Sequence, residues 1–226
     1  LMSRKNQSNM KPFIVVAIDG VAGSGKSTTA QNIANRLHFL HVDTGSHYRA
    51  VAVSLLKNNI SPEQASNSKY LNKLNLTSKV FSNKSEILIN DKNFSNDVLR
   101  SENVNSVVSS YASIPSVRDL LFKYQRSQIE LARSQNFNGL VMEGRDIGSI
   151  IFPDANLKIY LTANESIRNQ RRASDGENDK ILIRDKIDSN RKVAPLVKSQ
   201  DSIVIDTGKL SVDGVFSQIS YLIDSL

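Results

Sequence analysis

A chain of 226 residues with 39% hydrophobic and 23% charged residues is long enough for one sizeable core and too ordinary in composition for a disordered protein. No apolar run reaches the roughly 18 residues of a spanning helix, and the absence of cysteine excludes disulfides, thiolate metal sites and a cysteine nucleophile. A net charge of +7 fits a phosphate-rich partner, and because the basic residues recur singly and in pairs, the pattern suits a mononucleotide pocket better than a nucleic-acid stripe.

Residues 1–11 carry early basic residues but no apolar segment after them, so they read as a flexible tail without a secretory signal, on a cytoplasmic protein. Phe13 to Ile18 is a continuous β-branched run, the mark of a strand buried on both faces. Glycine-rich sequence follows at once. Ala30, Ile33, Ala34 and Leu37 then recur at helical spacing from Ser27 onward. Leu40 to Val42 reads as a short strand and Ala50 to Leu56 as a helix. Ser61-Pro62-Glu63 is a helix start. Lys79 to Phe81 and Glu86 to Ile89, separated by Asn83-Lys84-Ser85 and followed by Asn90-Asp91-Lys92-Asn93, predict a small antiparallel meander inserted into an α/β core.

Ser116 to Arg133 predicts a long amphipathic helix, and Leu140 to Met142 and Leu157 to Leu161 two buried strands. Glu165 to Arg172 is a charged helix leading into a polar loop at 173–179. Arg184 to Arg191 and Val212 to Ile223 read as helices, with a last strand at Ile203 to Ile205. Alternating strands and helices imply an α/β fold: a parallel sheet covered by helices on both faces. His38, His41 and His47 lack zinc-ligand spacing and are expected as surface or partly buried imidazoles.

Gly20-Val21-Ala22-Gly23-Ser24-Gly25-Lys26-Ser27 matches the phosphate-binding loop pattern, with a buried strand before it and a helix after it. Glycines let successive backbone N–H groups turn inward as a nest for phosphate at a helix N-terminus. Lys26 places a cation at the β- and γ-phosphates, and the Ser27 hydroxyl is a direct Mg²⁺ ligand. Gly20, Gly23, Ser24, Gly25, Lys26, Ser27 and Thr28 are therefore expected at ATP or GTP. The loop alone does not name a reaction, since GTPases, ATPases and small-molecule kinases share it. No NKxD-like guanine signature is present.

Further segments narrow the field. Asp43-Thr44-Gly45-Ser46-His47-Tyr48-Arg49, Glu143-Gly144-Arg145-Asp146-Ile147-Gly148, Phe152-Pro153-Asp154-Ala155 and Asn190-Arg191-Lys192-Val193-Ala194-Pro195-Leu196 stand in an order that resembles the bacterial cytidylate kinases, nucleoside monophosphate kinases among the P-loop proteins. The resemblance runs from Ile14 to the final helix. It implies ATP-dependent phosphorylation of CMP and dCMP in pyrimidine nucleotide metabolism, by a single P-loop kinase domain over 12–226. That domain carries an NMP-binding insertion at about 60–115 and a short lid at about 168–185.

The resemblance also assigns residues. It places Lys26, Arg145 and Arg191 in catalysis. Thr44, Tyr48, Arg49, Arg145 and Arg191 stand on the side of the acceptor phosphate, Arg184 and Asp188 at the ribose, and Ser109, Arg118 and Asp146 at the base. Arg168, Arg171 and Arg172 head the lid, with Arg171 at ATP. Glu143, at the end of a strand, reaches Mg²⁺ through water or serves a structural hydrogen bond. The cofactors expected are ATP and Mg²⁺, the partners ATP and CMP or dCMP, with no membrane, no nucleic acid and a monomeric state. The chain departs from the family in a shorter stretch between Arg172 and Arg184, in Ile187 and Ser189 where relatives carry arginines, and in Glu143 for the usual aspartate. A kinase for UMP, dTMP or shikimate is the alternative among enzymes, and an ATP-dependent or nucleic-acid-binding switch the alternative outside them.

Overall fold

The computed structural model describes residues 12–174 and 181–226. The expected tail at 1–11 and most of the polar loop lie outside the described residues, as does the side chain of Arg184.

Seven strands form one sheet. They are β1 (Ile14–Gly20), β2 (Phe39–Asp43), β3 (Leu76–Phe81), β4 (Lys84–Ile89), β5 (Gly139–Gly144), β6 (Leu157–Thr162) and β7 (Ile203–Asp206), in the order β3-β4-β2-β5-β1-β6-β7. All run parallel except β3, which pairs antiparallel with β4. The expected antiparallel pair is thus present, and it is continuous with the core: β4 pairs with β2 through His41 to Lys84 and Val42 to Ser85. Asn90 and Asp91 turn the chain after β4 with φ of 50° and 61°, a conformation their short polar side chains tolerate.

Ten helices surround the sheet among the described residues: α1 (Lys26–Leu37), α2 (Thr44–Leu56), α3 (Pro62–Ala65), α4 (Ser68–Leu71), α5 (Asn96–Leu99), α6 (Glu102–Ala112), α7 (Pro115–Ser134), α8 (Glu165–Ser174), α9 (Ile181–Ser189) and α10 (Val212–Asp224). Ser61 begins α3 with a reciprocal capping box to Gln64, and Pro115 opens α7 where its missing N–H has no helical partner to lose. The sequence pattern predicts no helix at α6. Its Asn and Ser residues obscure the spacing of Val104, Val107, Val108 and Tyr111, which pack on α2 and α7.

Strand β1 shows why both faces of the sheet must be covered. Val16 and Ile18 pack with Ala30 and Ile33 of α1 and Ile219 of α10, whereas Val15 and Ala17 pack with Ala132 of α7 and with Ile147 and Ile151 on the other side. The parallel register sets Ile18 beside Glu143 and Asp43 beside Glu143, so β1, β2 and β5 end at one level. Every connection from these ends enters the same edge of the sheet, where ligands bind in open α/β folds.

His47 departs from the expectation of a partly exposed imidazole. It is completely buried on α2, with its ring edge-on to Tyr124 at 5.0 Å, and neither ring nitrogen has a hydrogen-bond partner among the described residues. Burial pushes its pKa down from 6.5 to about 4, against the opposing pull of Asp43. Between those pH values the unfolded chain takes up a proton that the folded chain refuses. The stability from this group is therefore complete above pH 6.5 and lost as pH falls toward 4, by about 2–3 kcal/mol. His47→Leu should flatten that part of the curve. Urea unfolding of both proteins from pH 7 to pH 4.5 checks this, and parallel curves would contradict it.

Candidate active site

The loop after β1 builds the first half of the site. Gly20 closes the strand at φ 150°, and a Cβ there would lie 2.2 Å from the Leu161 carbonyl oxygen, which only glycine avoids. Helix α1 then starts at Lys26 with no side-chain cap on its first turn. The orphan N–H groups and the positive end of the helix dipole open on a cleft of about 780 Å³ that residues Ala22 to Thr29 help to line. Lys26 Nζ donates to the carbonyls of Gly20 at 2.9 Å and Val21 at 2.8 Å.

Two flanking helices grip the loop. Ala22 N–H donates to Asp185 Oδ1 of α9 at 2.9 Å, and Arg168 of α8 donates to the Ala22 carbonyl at 3.0 Å and to Asp185 Oδ2 at 2.5 Å. Arg171 donates to Thr207 Oγ1 at 2.9 Å and to its carbonyl at 3.0 Å, while Thr207 Oγ1 donates to the Ser24 carbonyl at 2.9 Å. Glu143, at the end of β5, is nearly inaccessible. Its Oε2 accepts from Ser27 Oγ at 2.9 Å, its Oε1 lies 2.8 Å from His41 Nε2, and its backbone carbonyl accepts from Thr44 Oγ1 at 2.8 Å.

Beyond β5 the chain forms the second half. Arg145 Nε donates to Asp188 Oδ2 at 3.0 Å, and its NH1 donates at 2.9 Å to the Gly20 carbonyl that also accepts from Lys26. Ser109 Oγ of α6 donates to Asp188 Oδ1 at 3.3 Å, and Arg191 Nε donates to the Asp188 carbonyl at 3.2 Å. Asp146 pairs with Arg118 of α7, whose NH1 also donates to the Ala112 carbonyl at 3.0 Å. Burial raises the Asp146 carboxyl above its usual range, held back by Arg118 and then Arg191. Burial, then the Asp146 charge, pushes the Tyr48 phenol up to about 12, so it stays protonated at neutral pH.

The residues expected from the sequence converge on this cleft with instructive exceptions. Ser24, Gly25, Lys26, Ser27, Thr28, Thr44, Tyr48, Arg49, Ser109, Glu143, Arg145, Asp146, Arg171, Asp188 and Arg191 all line it. Arg118 stands behind Asp146 and not on the cleft wall. Arg49 donates from NH1 to the Leu99 carbonyl at 2.8 Å and to Asn105 Oδ1 at 2.6 Å, so its guanidinium is braced by α5 and α6. Arg168, expected at the head of a lid, is buried and braces the phosphate loop. Arg184 lies on α9, but its side chain is outside the described residues.

Sequence reasoning passed over several residues. Asp19 accepts from Ile147 N–H and Gly148 N–H, both at 2.8 Å, and so fixes the π-helical turn Ile147–Ile151 just past Arg145 and Asp146. Its signal was its place immediately before the loop. Asp185 stands one helical turn before Asp188, a spacing that could have pointed to it. Asn105, Thr207 and His41 carried no local signal.

A mostly parallel sheet with a phosphate loop on the inner strand β1, and a second half of the same cleft lined with arginine and aspartate, defines a P-loop kinase. The cytidylate kinase family profile matches residues 16–225. A cytidylate kinase of Clostridium botulinum is 40% identical over 222 residues, covering 93% of this chain and 97% of its own length. One from Onion yellows phytoplasma is 40% identical over 231 residues, covering 96% and 97%. The chain belongs to the cytidylate kinase family.

The Ala22 clamp yields a test. Asp185→Leu leaves Arg168 buried without its ion partner and is expected to cost about 3 kcal/mol of stability. It also releases the Ala22 peptide, so ADP binding should weaken. Arg168→Leu with Asp185→Leu should recover most of the stability, because no buried charge is stranded, but not the ADP affinity. Denaturant unfolding and ADP titration read the two effects separately.

Proposed function

We propose that this chain transfers the γ-phosphate of ATP to CMP, giving CDP, and accepts dCMP as well. The observation that carries the reading is the shared Gly20 carbonyl: Lys26 on the donor side and Arg145 on the acceptor side both donate to it, so the two halves of the cleft meet at one atom. Membership of the cytidylate kinase family makes the reaction an ATP-dependent phosphorylation of CMP. Residues 60–115 serve as the acceptor-binding insertion and 168–185 as the lid of one domain over 12–226. The same reading makes the protein a cytoplasmic monomer of pyrimidine nucleotide metabolism, with no nucleic-acid partner. No described helix is long and apolar enough to cross a membrane.

In this mechanism the loop N–H groups and Lys26 hold the β- and γ-phosphates, and the planar guanidiniums of Arg145 and Arg191 hold the acceptor phosphate in two-pronged fashion. No general base is needed, since the second ionisation of a phosphate monoester falls near pH 6 and the attacking oxygen is already anionic. Catalysis is positioning and charge stabilisation. Tyr48 and Thr44 shape the acceptor side, Asp188 and Ser109 the sugar side, and Asp146 the base, with Arg118 orienting Asp146 from behind.

Ser27 Oγ, as a direct ligand, and the Glu143 carboxylate, through water, fit Mg²⁺. They are hard oxygen donors 2.9 Å apart beside the phosphate loop, and Mg²⁺ takes one or two protein oxygens and fills its shell with phosphate oxygens and water. No group of three or more His, Cys, Asp or Glu suited to a metal occurs among the described residues, and this chemistry does not need one. When bound, the ion neutralises charge on the phosphate oxygens.

A coupled assay across CMP, dCMP, UMP, dTMP and shikimate tests the proposal: ADP should form fastest with CMP, and ADP formation without any acceptor, or stimulated by RNA instead, would overturn it. Lys26→Ala should lower kcat by a hundredfold or more, on the order of what one transition-state electrostatic contact supplies. Asp146, an acceptor only while ionised, suits the exocyclic amine of cytosine, whereas uracil offers a carbonyl there. Asp146→Asn is accordingly expected to lower kcat/KM for CMP and to narrow the CMP:UMP ratio about tenfold or more. An unchanged ratio would remove Asp146 from base recognition.

A further inference from the structure

Beside the phosphate loop, His41 and Gln31 extend the Ser27–Glu143 pair into a ring of side chains. Ser27 Oγ donates to Glu143 Oε2, Glu143 Oε1 lies 2.8 Å from His41 Nε2, and His41 Nδ1 lies 3.3 Å from Gln31 Oε1. Gln31 stands one helical turn after Ser27, so the ring starts and ends on the same face of α1. Gln31 Nε2 donates to Asn35 Oδ1 at 2.9 Å, which turns its amide oxygen toward the imidazole.

The sheet register makes this ring possible. His41 pairs with Val141 and Asp43 with Glu143 across β2 and β5, so His41 and Glu143 sit two residues apart on the sheet face that α1 covers. Both are buried, and an ionised carboxylate can only accept. His41 Nε2 therefore carries the proton of that bond; Gln31 Oε1 is an acceptor too, so the 3.3 Å contact at Nδ1 is a hydrogen bond only when both ring nitrogens carry protons. A glutamate left with one hydrogen bond at Ser27 keeps several rotamers within reach; a second bond on its other oxygen removes them.

We propose that His41 is a positioning residue for the divalent cation, locking the Glu143 carboxylate beside Ser27 so that both hard oxygens are set before the metal–nucleotide complex arrives. The inference rests on the reading of Ser27 and Glu143 as the metal seat. His41 does not touch the nucleotide; it acts through Glu143, as partners of metal-binding groups commonly do.

The experiment follows Mn²⁺ by water-proton relaxation in the ternary complex of full-length protein, Mn²⁺ and ADP, beside ADP binding in EDTA. His41→Leu should raise the apparent Mn²⁺ dissociation constant about tenfold, the usual scale for losing such a partner, while metal-free ADP binding and the KM for CMP stay put. His41→Gln, which keeps an N–H donor, should restore most of the loss. Equal Mn²⁺ affinity in wild type and His41→Leu overturns the proposal, and so does an equal loss of ADP affinity with and without metal, because that is a merely structural effect on the loop. If His41→Leu does not fold, His41→Phe keeps the ring volume without an N–H donor and should shift the same constant upward; no shift overturns the proposal. A wild-type protein that binds ADP but no Mn²⁺ refutes the metal seat itself. An absence of CMP-dependent ADP formation refutes the acceptor reading and leaves the Mn²⁺ result standing.

Discussion

The parallel pairing of β1 between β5 and β6 is the constraint on which the rest of the molecule depends. It sets Asp19 beside Gly144 and Gly20 beside Leu161, so the phosphate loop and the Arg145-Asp146 segment leave the sheet as neighbours. Asp19 then ties one to the other by accepting two N–H groups of the turn after Asp146. Burial raises that carboxyl to about 6, while the Gly148 and Ile147 N–H bonds pull it down and keep the rise modest. A strand slipped by one residue would invert the inward and outward sides and separate the two halves of the cleft.

The second organising feature is the treatment of arginine. Arg118, Arg145 and Arg168 each pair with a carboxylate, Asp146, Asp188 and Asp185 respectively. Buried pairs of this kind contribute little net stability, because desolvation offsets attraction. Their value is geometric: each fixes one orientation, Arg145 on the cleft wall, Arg118 behind Asp146 and Arg168 against the phosphate loop. Helix α9 is central to this, since Asp185 grips the phosphate loop while Asp188, one turn on, holds Arg145 and Ser109. The two halves of the cleft thereby share one short helix.

What could be read in advance was what local chemistry specifies. The phosphate loop needs glycines, a lysine and a hydroxyl at fixed spacing, and β1 and α1 announce themselves by continuous and three-to-four apolar patterns. Arg145, Asp146, Asp188 and Arg191 came from the resemblance and do line one cleft. Helix α6 escaped because serine and asparagine fill its positions between the valines, and those polar residues favour caps and turns in any local reading. His47 misled for a related reason: its type suggests partial exposure, whereas its burial comes from packing of α2 against α7 through Tyr124.

The sequence by itself determined the class of fold, the nucleotide loop and the family, because each rests on residues close in the chain or on an ordered set of motifs along it. Only the tertiary structure decided that Arg168 braces the loop, that Arg118 stands behind Asp146, and that His41 and Gln31 close a ring on Glu143. Those partners lie 10 to 146 residues apart. Strand order and helix packing bring them together, and no local spacing rule encodes an encounter over such distances.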